Sequence, residues 1–365
     1  MVSSLEYDKL KIAYDRDAQQ FNIRLSPNDS VIIRSNLQLD SSEDCSDYDL
    51  YLLYNDKIAE NDIYQVYDKK ADIRIGWIFP VYALVSDSHD YAKNEHFLKY
   101  AYVSLMILLQ YVLSDKELLG GEFDLEHDVE EILKKEYDID NMVILVTCCS
   151  NTVNIPNYDI SNYIASLYRY GYTFRGSGNS DAEKKQLDKR INLTSLSKDI
   201  KNVQYINSLF VDVLPNLSDA LSRFITYYQV VEALIFQIHE DKFYRVINNT
   251  KETECEADNT IDSFWLSDRI REILPEKYRV VSLFNEYYQG GCNGFDDLED
   301  MCIQFLDNQR AEKRDSNLPG RLYRTRCIIV HKMYTLDKDC LMMLEEINKS
   351  FSDVVTDLVC FFKLP

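Results

Sequence analysis

The sequence predicts an α+β protein: a mixed, β-rich N-terminal domain over residues 1–195, then an all-α helical bundle over residues 196–365. Three observations lead there. Up to Val85 the apolar residues partly alternate in short runs, the period of a half-buried strand. From Tyr91 the period lengthens, and beyond Lys198 helical spacing takes over. Between these regimes Arg175-Gly176-Ser177-Gly178-Asn179-Ser180 is the clearest linker signal in the chain. A length of 365 residues favours two domains, and 46% hydrophobic residues with only 10 Gly and 7 Pro are ample for packed cores.

Taken in order, strands are expected at Leu10-Lys11-Ile12-Ala13-Tyr14, Phe21-Asn22-Ile23-Arg24-Leu25 and Val31-Ile32-Ile33-Arg34, with Ser26-Pro27-Asn28-Asp29 as a polar break. Residues 51–54 and 73–79 continue the pattern, and the acidic stretch Ser41 to Asp49 reads as a loop. Phe97, Tyr100, Ala101, Leu105, Leu108 and Leu109 follow helical spacing up to Leu113. Asp128 to Tyr137 reads as a short acidic helix and Met142 to Cys148 as a buried strand. Glu122, Asp124, Glu126, Asp128, Glu130 and Glu131 with His127 read as a solvated acidic face, a metal site being the lesser option. With no phosphate-cradling Gly loop, HExxH or GxSxG, this half suits sensing, partner binding or dimer support.

After the linker, Lys184, Lys185, Lys189 and Arg190 form a basic stretch, read first as a solvated helix face and second as an RNA-facing patch. Val203 to Leu214 is a helix ended by Pro215, and Asn216-Leu217-Ser218-Asp219 offers the next cap. Phe224, Tyr228, Val231, Ile235 and Ile238 then form one apolar stripe, flanked by Tyr227 and Leu234. Glu232 falls at the stripe's edge, where a half-buried acid needs a cationic or donor partner. His239 reads as a surface residue. Helical turns are expected at 261–273, 280–288 and 298–306, a break at Ser316 to Gly320, and a last helix from Leu341 to about Phe362.

Net charge is −21 and the isoelectric point about 4.7, so the chain as a whole is a poor binder of nucleic acid or anionic membrane. Nine scattered cysteines without a CxxC pair, two of them adjacent at Cys148-Cys149, favour reduced thiols over disulfides or zinc. No basic-then-apolar leader opens the chain, and the apolar run Val103 to Leu113 is short for a bilayer span. A soluble, cytoplasmic protein without membrane contact, metal or cofactor is expected.

The chemistry concentrates in Arg321 to Tyr334, R-L-Y-R-T-R-C-I-I-V-H-K-M-Y. Imidazole suits proton transfer near neutral pH, and guanidinium grips a phosphate at two points. His331 with Arg326 and Arg324 therefore suggests metal-free chemistry on a phosphodiester. Between Gln309 and Lys332, seven positive and two negative residues give +5, and Arg314, Arg321 and Lys332 are candidates to meet an RNA backbone. On one continuous helix Arg324 and His331 share a face, while Arg326 sits about 140° round from His331.

The helix Leu221 to Leu234, followed by Leu322-Tyr-Arg-Thr-Arg-Cys-Ile-Ile-Val-His331, resembles a HEPN domain, with the Apea-like group of bacterial defence proteins the nearest branch. The resemblance covers residues of about 200–365 and leaves the first half unassigned. It implies a helical bundle with the R-x4-6-H ribonuclease motif, matched by Arg326 and His331, with Arg324 as the longer-spaced option. Cys327 stands where the family commonly has a polar residue after the Arg, and the toxin pattern with Tyr two after the His is not met, since Met333 precedes Tyr334. The resemblance implies a composite site across a homodimer, with His331 moving protons and Arg326 and Arg324 holding the phosphate. Glu232, Tyr228 and Cys327 would support them. An RNA substrate, a 2′,3′-cyclic phosphate product and a trigger or neutralising partner protein are then expected. The alternative is a non-catalytic HEPN adaptor for dimerisation, nucleotide binding or partner recruitment.

Overall fold

A computed structural model describes residues 11–24, 30–114, 126–175, 189–200, 203–254, 275–291, 294–311 and 316–364. The fold is α+β, with two compact units. The first holds the described residues up to 163 together with 170–175 and 189–194; the second holds 164–169 and those from 195 onward.

The first unit contains two sheets. β1 (Lys11–Asp15), β2 (Gln20–Arg24) and β3 (Ser30–Arg34) pair antiparallel, and β7 (Glu126–Asp128) joins β3 in parallel. Alternation works as expected here: Phe21, Ile23, Val31 and Ile33 point inward and are buried. The second sheet has the order β4-β8-β6-β5-β9, from β4 (Tyr48–Tyr54), β5 (Tyr64–Asp68), β6 (Ile73–Pro80), β8 (Met142–Cys148) and β9 (Arg190–Leu193). All its pairings are antiparallel except the parallel β5–β9 contact. β8 is buried along its whole length, which is why it reads as a continuous apolar run. A Cβ at Gly76 would run into the Val146 carbonyl oxygen, so β6 can approach β8 only with glycine there.

α1 (Glu95–Ser114) is longer than the apolar run that marked it. Its stretch Glu95–Leu113 is long and apolar enough to cross a membrane, but 83% of that window is buried inside the protein. Its side chains join those of Trp77, Phe79 and the first sheet in one core. α2 (Val129–Glu136) and α3 (Cys149–Thr152) complete this unit. β5, β7 and β9 are short and mixed in polarity, so they carry no clear alternation and were not expected from the sequence. His89 is buried, with Nε2 on the Ala83 carbonyl at 3.0 Å and Nδ1 accepting from the Tyr91 N–H at 3.1 Å. Seven described cysteines, Cys148 and Cys149 among them, are free thiols.

The second unit is helical among its described residues. α4 (Ile164–Arg169) belongs to it although it precedes β9 in the chain. Arg169 explains this placement: Nη2 donates to Asp357 Oδ1 at 2.6 Å and Nε lies 3.2 Å from Asp353 Oδ1. α5 (Gln204–Ser208) runs into a π-helical turn at Leu209–Val213 and a 3-10 turn at Leu214–Asn216 that contains Pro215. Asp219 then accepts from the Ser222 N–H at 2.7 Å and opens α6 (Ala220–Glu254), a helix of 35 residues. The expected stripe Phe224, Tyr228, Val231, Ile235 and Ile238, with Tyr227 and Leu234, is buried. His239 is half-buried and stacks on Phe243.

α7 (Glu276–Ser282) continues into a π-helical turn, Leu283–Tyr287. α8 (Phe295–Asn308), α9 (Leu318–His331) and α10 (Lys338–Phe361) follow. α10 packs on α6, α8 and α4, while α9 packs on α8, α7 and α6. Phe351 of α10 anchors the centre, 5.4 Å from Phe224 and 5.7 Å from Tyr227 between ring centres. The expected turn at 261–273, Cys255 and Cys292 lie outside the described residues.

Candidate functional site

α9 carries the Arg-His motif as one uninterrupted helix. Its start is where a chain break is expected from Ser316 to Gly320, and the cause is local. The Asn317 side chain accepts from the Gly320 N–H at 3.2 Å, and Pro319 falls in the first turn, where its missing N–H costs no hydrogen bond. The same Asn-Pro-Gly signal that suggests a break thus begins a helix. Leu318, Leu322, Thr325, Ile328 and Ile329 face the bundle interior and fix the rotation of α9. Arg324 and His331, seven residues apart, then lie within about 20° of each other, and Arg326 about 140° from His331.

The two sides of α9 differ in their partners. Arg326 Nη2 donates to Glu232 Oε1 of α6 at 2.8 Å, and Nη1 lies 3.8 Å from Glu276 Oε2 of α7. The guanidinium carbon lies 5.4 Å from the centre of the Tyr228 ring, and the Tyr228 hydroxyl donates to Glu276 Oε1 at 3.2 Å. This cation is only 20% exposed, against 42% for Glu232 and 25% for Glu276. Burial works against its charge, but the Glu232 hydrogen bond and the two carboxylates outweigh that and raise its pKa. Burial first, and Glu276 second, push the Tyr228 phenol far up, so it stays a neutral donor.

Glu232 therefore has the cationic partner that a half-buried acid at the stripe's edge requires. Glu276 escaped the sequence reading. It sits in the polar stretch Pro275-Glu276-Lys277, and the only available signal was an acid directly after a proline, a helix-start pattern. Cys327 is half-buried, one turn after Tyr323; burial first, and the Cys327 side chain second, raise the Tyr323 pKa.

The remaining expected residues divide. Arg324 is partly exposed and His331 exposed, and neither forms a side-chain hydrogen bond or ion pair among the described residues. Arg326 and His331 do not converge on one α9: the first is held between α6 and α7, the second stands at the exposed helix end. Arg321 is ion-paired with Glu299 of α8, so its charge is committed within the bundle rather than held out for RNA. Lys332 is exposed, and its N–H bonds the Ile328 carbonyl at 2.8 Å to close the helix. Arg314 lies outside the described residues.

No group of three or more His, Cys, Asp or Glu is placed to hold a metal ion among the described residues. In the acidic stretch, Glu126 pairs with Arg34 at 2.6 Å and Glu130 with Lys134 at 2.5 Å, while Glu122 and Asp124 lie outside the described residues. The chain matches no protein-family model, no curated protein and no solved structure.

Proposed function

We propose that the chain is a HEPN-type, metal-independent endoribonuclease, a cytoplasmic effector of a bacterial anti-phage or toxin-like system. The observation that carries this reading is the outward face of α9, where Arg324 and His331 align without a partner among the described residues. Cleavage of RNA by its own 2′-OH needs a base, an acid and a charge opposite the phosphorane. His331 takes the proton from the 2′-OH or returns one to the leaving 5′-oxygen, and Arg324 faces the phosphate oxygens. A second copy of the chain supplies the other imidazole, so the working form is a homodimer. Arg326 is a positioning residue: its ion pairs to Glu232 and Glu276 fix α9 against α6 and α7. The product is a 2′,3′-cyclic phosphate, and DNA, lacking the 2′-OH, is spared. A trigger sensed by the first unit, or a neutralising partner protein, restrains the activity in the cell.

One observation favours a second reading, a non-catalytic adaptor of the same helical type. The Arg of the R-x4-H spacing, Arg326, has its charge taken up by two carboxylates and is not on the His331 face.

The deciding experiment incubates the full-length protein with single-stranded and structured RNA in EDTA, beside His331→Ala, Arg324→Ala and Arg326→Lys. Cleavage lost in His331→Ala and Arg324→Ala, with cyclic-phosphate ends in wild type, supports the enzyme. Equal cleavage by His331→Ala removes it. RNA left intact by wild type, with no growth defect on expression, moves the assignment to the adaptor.

A further inference from the structure

One end of the second sheet carries polar side chains on a face that is otherwise core. Trp77 and Phe79 of β6 pack with α1 there, but Gln65 and Tyr67 of β5, Arg74 of β6, and Arg190 and Asn192 of β9 reach solvent on the same face. Register sets them side by side: Tyr67 is opposite Arg74 and Asn192, and Gln65 is opposite Trp77 and Arg190. The β5–β6 register skips Ile75, so Arg74 falls on the Trp77 face, where simple alternation would have turned it away. Direct contacts tie the group together. The Arg190 guanidinium carbon lies 3.7 Å from the centre of the Tyr67 ring, Nε donates to Asn192 Oδ1 at 2.7 Å, and Nη2 pairs with Asp72. The Tyr67 hydroxyl donates to Gln65 Oε1 at 3.1 Å. Lys189 lies over Tyr91, whose ring centre is 5.5 Å from that of Trp77.

The groups left over are donors. Asn192 and Gln65 use their amide oxygens on Arg190 and Tyr67, which leaves both NH2 groups without partners among the described residues. Arg74 is half-buried and forms no hydrogen bond or ion pair among them. Trp77 is 1% exposed, and its Nε1 has no acceptor among the described residues, although an indole N–H can only donate. Tyr100 lies between these two: its ring centre is 6.0 Å from Trp77, and burial raises its phenol to about 12 while the Arg74 charge works against that rise. The neighbouring acids are already engaged. Asp72 pairs with Arg190, Glu43 pairs with Lys99 at 2.8 Å, and Asp68 lies on the opposite face, accepting from the Tyr163 hydroxyl at 2.7 Å. A half-buried guanidinium and an orphaned indole N–H both cost free energy until an acceptor arrives from outside.

We infer that this end of the second sheet is an anion site, and that it takes a small ligand carrying one phosphate group. Arg74 and Arg190 against Asp72 leave a charge of +1, with Lys189 at the rim. That suits a single phosphate and not a long polyanion, which a chain of net charge −21 repels. Guanidinium grips phosphate at two points. Donors arriving from three adjacent strands can meet a tetrahedral anion on several sides, whereas a planar carboxylate uses only those near its own plane. Such a site stands apart from the ribonuclease reading and gives the first unit a ligand of its own.

Trp77 supplies the readout. The chain has two tryptophans, so the indole N–H region of the NMR spectrum of the isotope-labelled, full-length protein holds two signals, and Trp77→Phe assigns one. Inorganic phosphate, exchanged for chloride at constant ionic strength, should shift the Trp77 signal saturably. Arg74→Ala should weaken the fitted affinity about 10-fold or more, and Arg74→Lys by several-fold, because lysine keeps the charge without the fork. Arg24→Ala, an exposed position in the first sheet, should stay within about 2-fold of wild type. The lysine variant carries the test if alanine at the half-buried position unfolds the sheet. No shift of the Trp77 signal with phosphate, or an equal shift with acetate, overturns the inference. So does a phosphate affinity left unchanged in the Arg74 variants. An unstructured RNA that moves the Trp77 signal at far lower concentration than phosphate, in wild type but not in Arg74→Lys, also overturns it, because the face then holds a strand.

Discussion

Arg326 and Arg324 are two residues apart on one helix and belong to different environments. The inward arginine has a carboxylate from each of two neighbouring helices and an aromatic ring beside it. The outward one shares a face with His331 and has no such partner among the described residues. The same contrast separates two histidines: His89 uses both ring nitrogens inside the first unit, while His331 stands exposed at a helix end. Residue type alone therefore does not assign a role here. Counter-charge and burial hold one arginine inside the bundle and leave the other partly exposed, without a side-chain partner among the described residues.

The contrast is most sharply broken through activity. His331→Ala should lower RNA cleavage by about 100-fold or more, the usual range for loss of a general acid or base, with an unchanged thermal unfolding midpoint. The inward side should show the reverse. Arg326→Ala leaves Glu232 and Glu276 without their cation and should lower unfolding free energy by about 1–3 kcal/mol in urea titrations. A double-mutant cycle with Glu232→Gln should then be clearly non-additive; additivity would mean the ion pair contributes nothing. Arg324→Ala, on the outward face, should change stability by less than about 0.5 kcal/mol.

The smallest effect concerns pH and His89. Burial lowers its pKa below the ordinary 6.5, so the unfolded chain binds the proton more readily than the native one. The stability that neutral His89 contributes is full above pH 6.5 and is lost as pH falls through the lowered native value. Wild type should lose more stability than His89→Gln between pH 7 and pH 5, measured by urea unfolding of each protein at both values; parallel losses would show that His89 is not the titrating group.

Periodicity made much of this fold legible. The stripe of α6, the continuous apolar run of β8 and the alternation in β2 and β3 all announce their burial. β5, β7 and β9 did not, because strands of three to five residues at sheet edges or beside an edge are specified by their neighbours more than by their own pattern. At the site, the position of Glu232 on the helical wheel signalled its need for a cation, and the 140° offset of Arg326 from His331 was already implicit in the spacing. Glu276 was invisible, since nothing local says that an acid after Pro275 will meet a guanidinium fifty residues later in the chain.

Arg169 has a consequence for how this protein can be divided. The chain enters the helical unit at α4, returns to lay β9 on the sheet, and only then completes the helices. The helical unit is therefore not a cassette. A cut or recombination joint near residue 195 would strand α4 on the wrong fragment and take the guanidinium from Asp357, whose side chain is only 6% exposed. Dividing the chain there separates Arg169 from Asp353 and Asp357, because a counter-ion of the helical unit is encoded inside the sequence of the first.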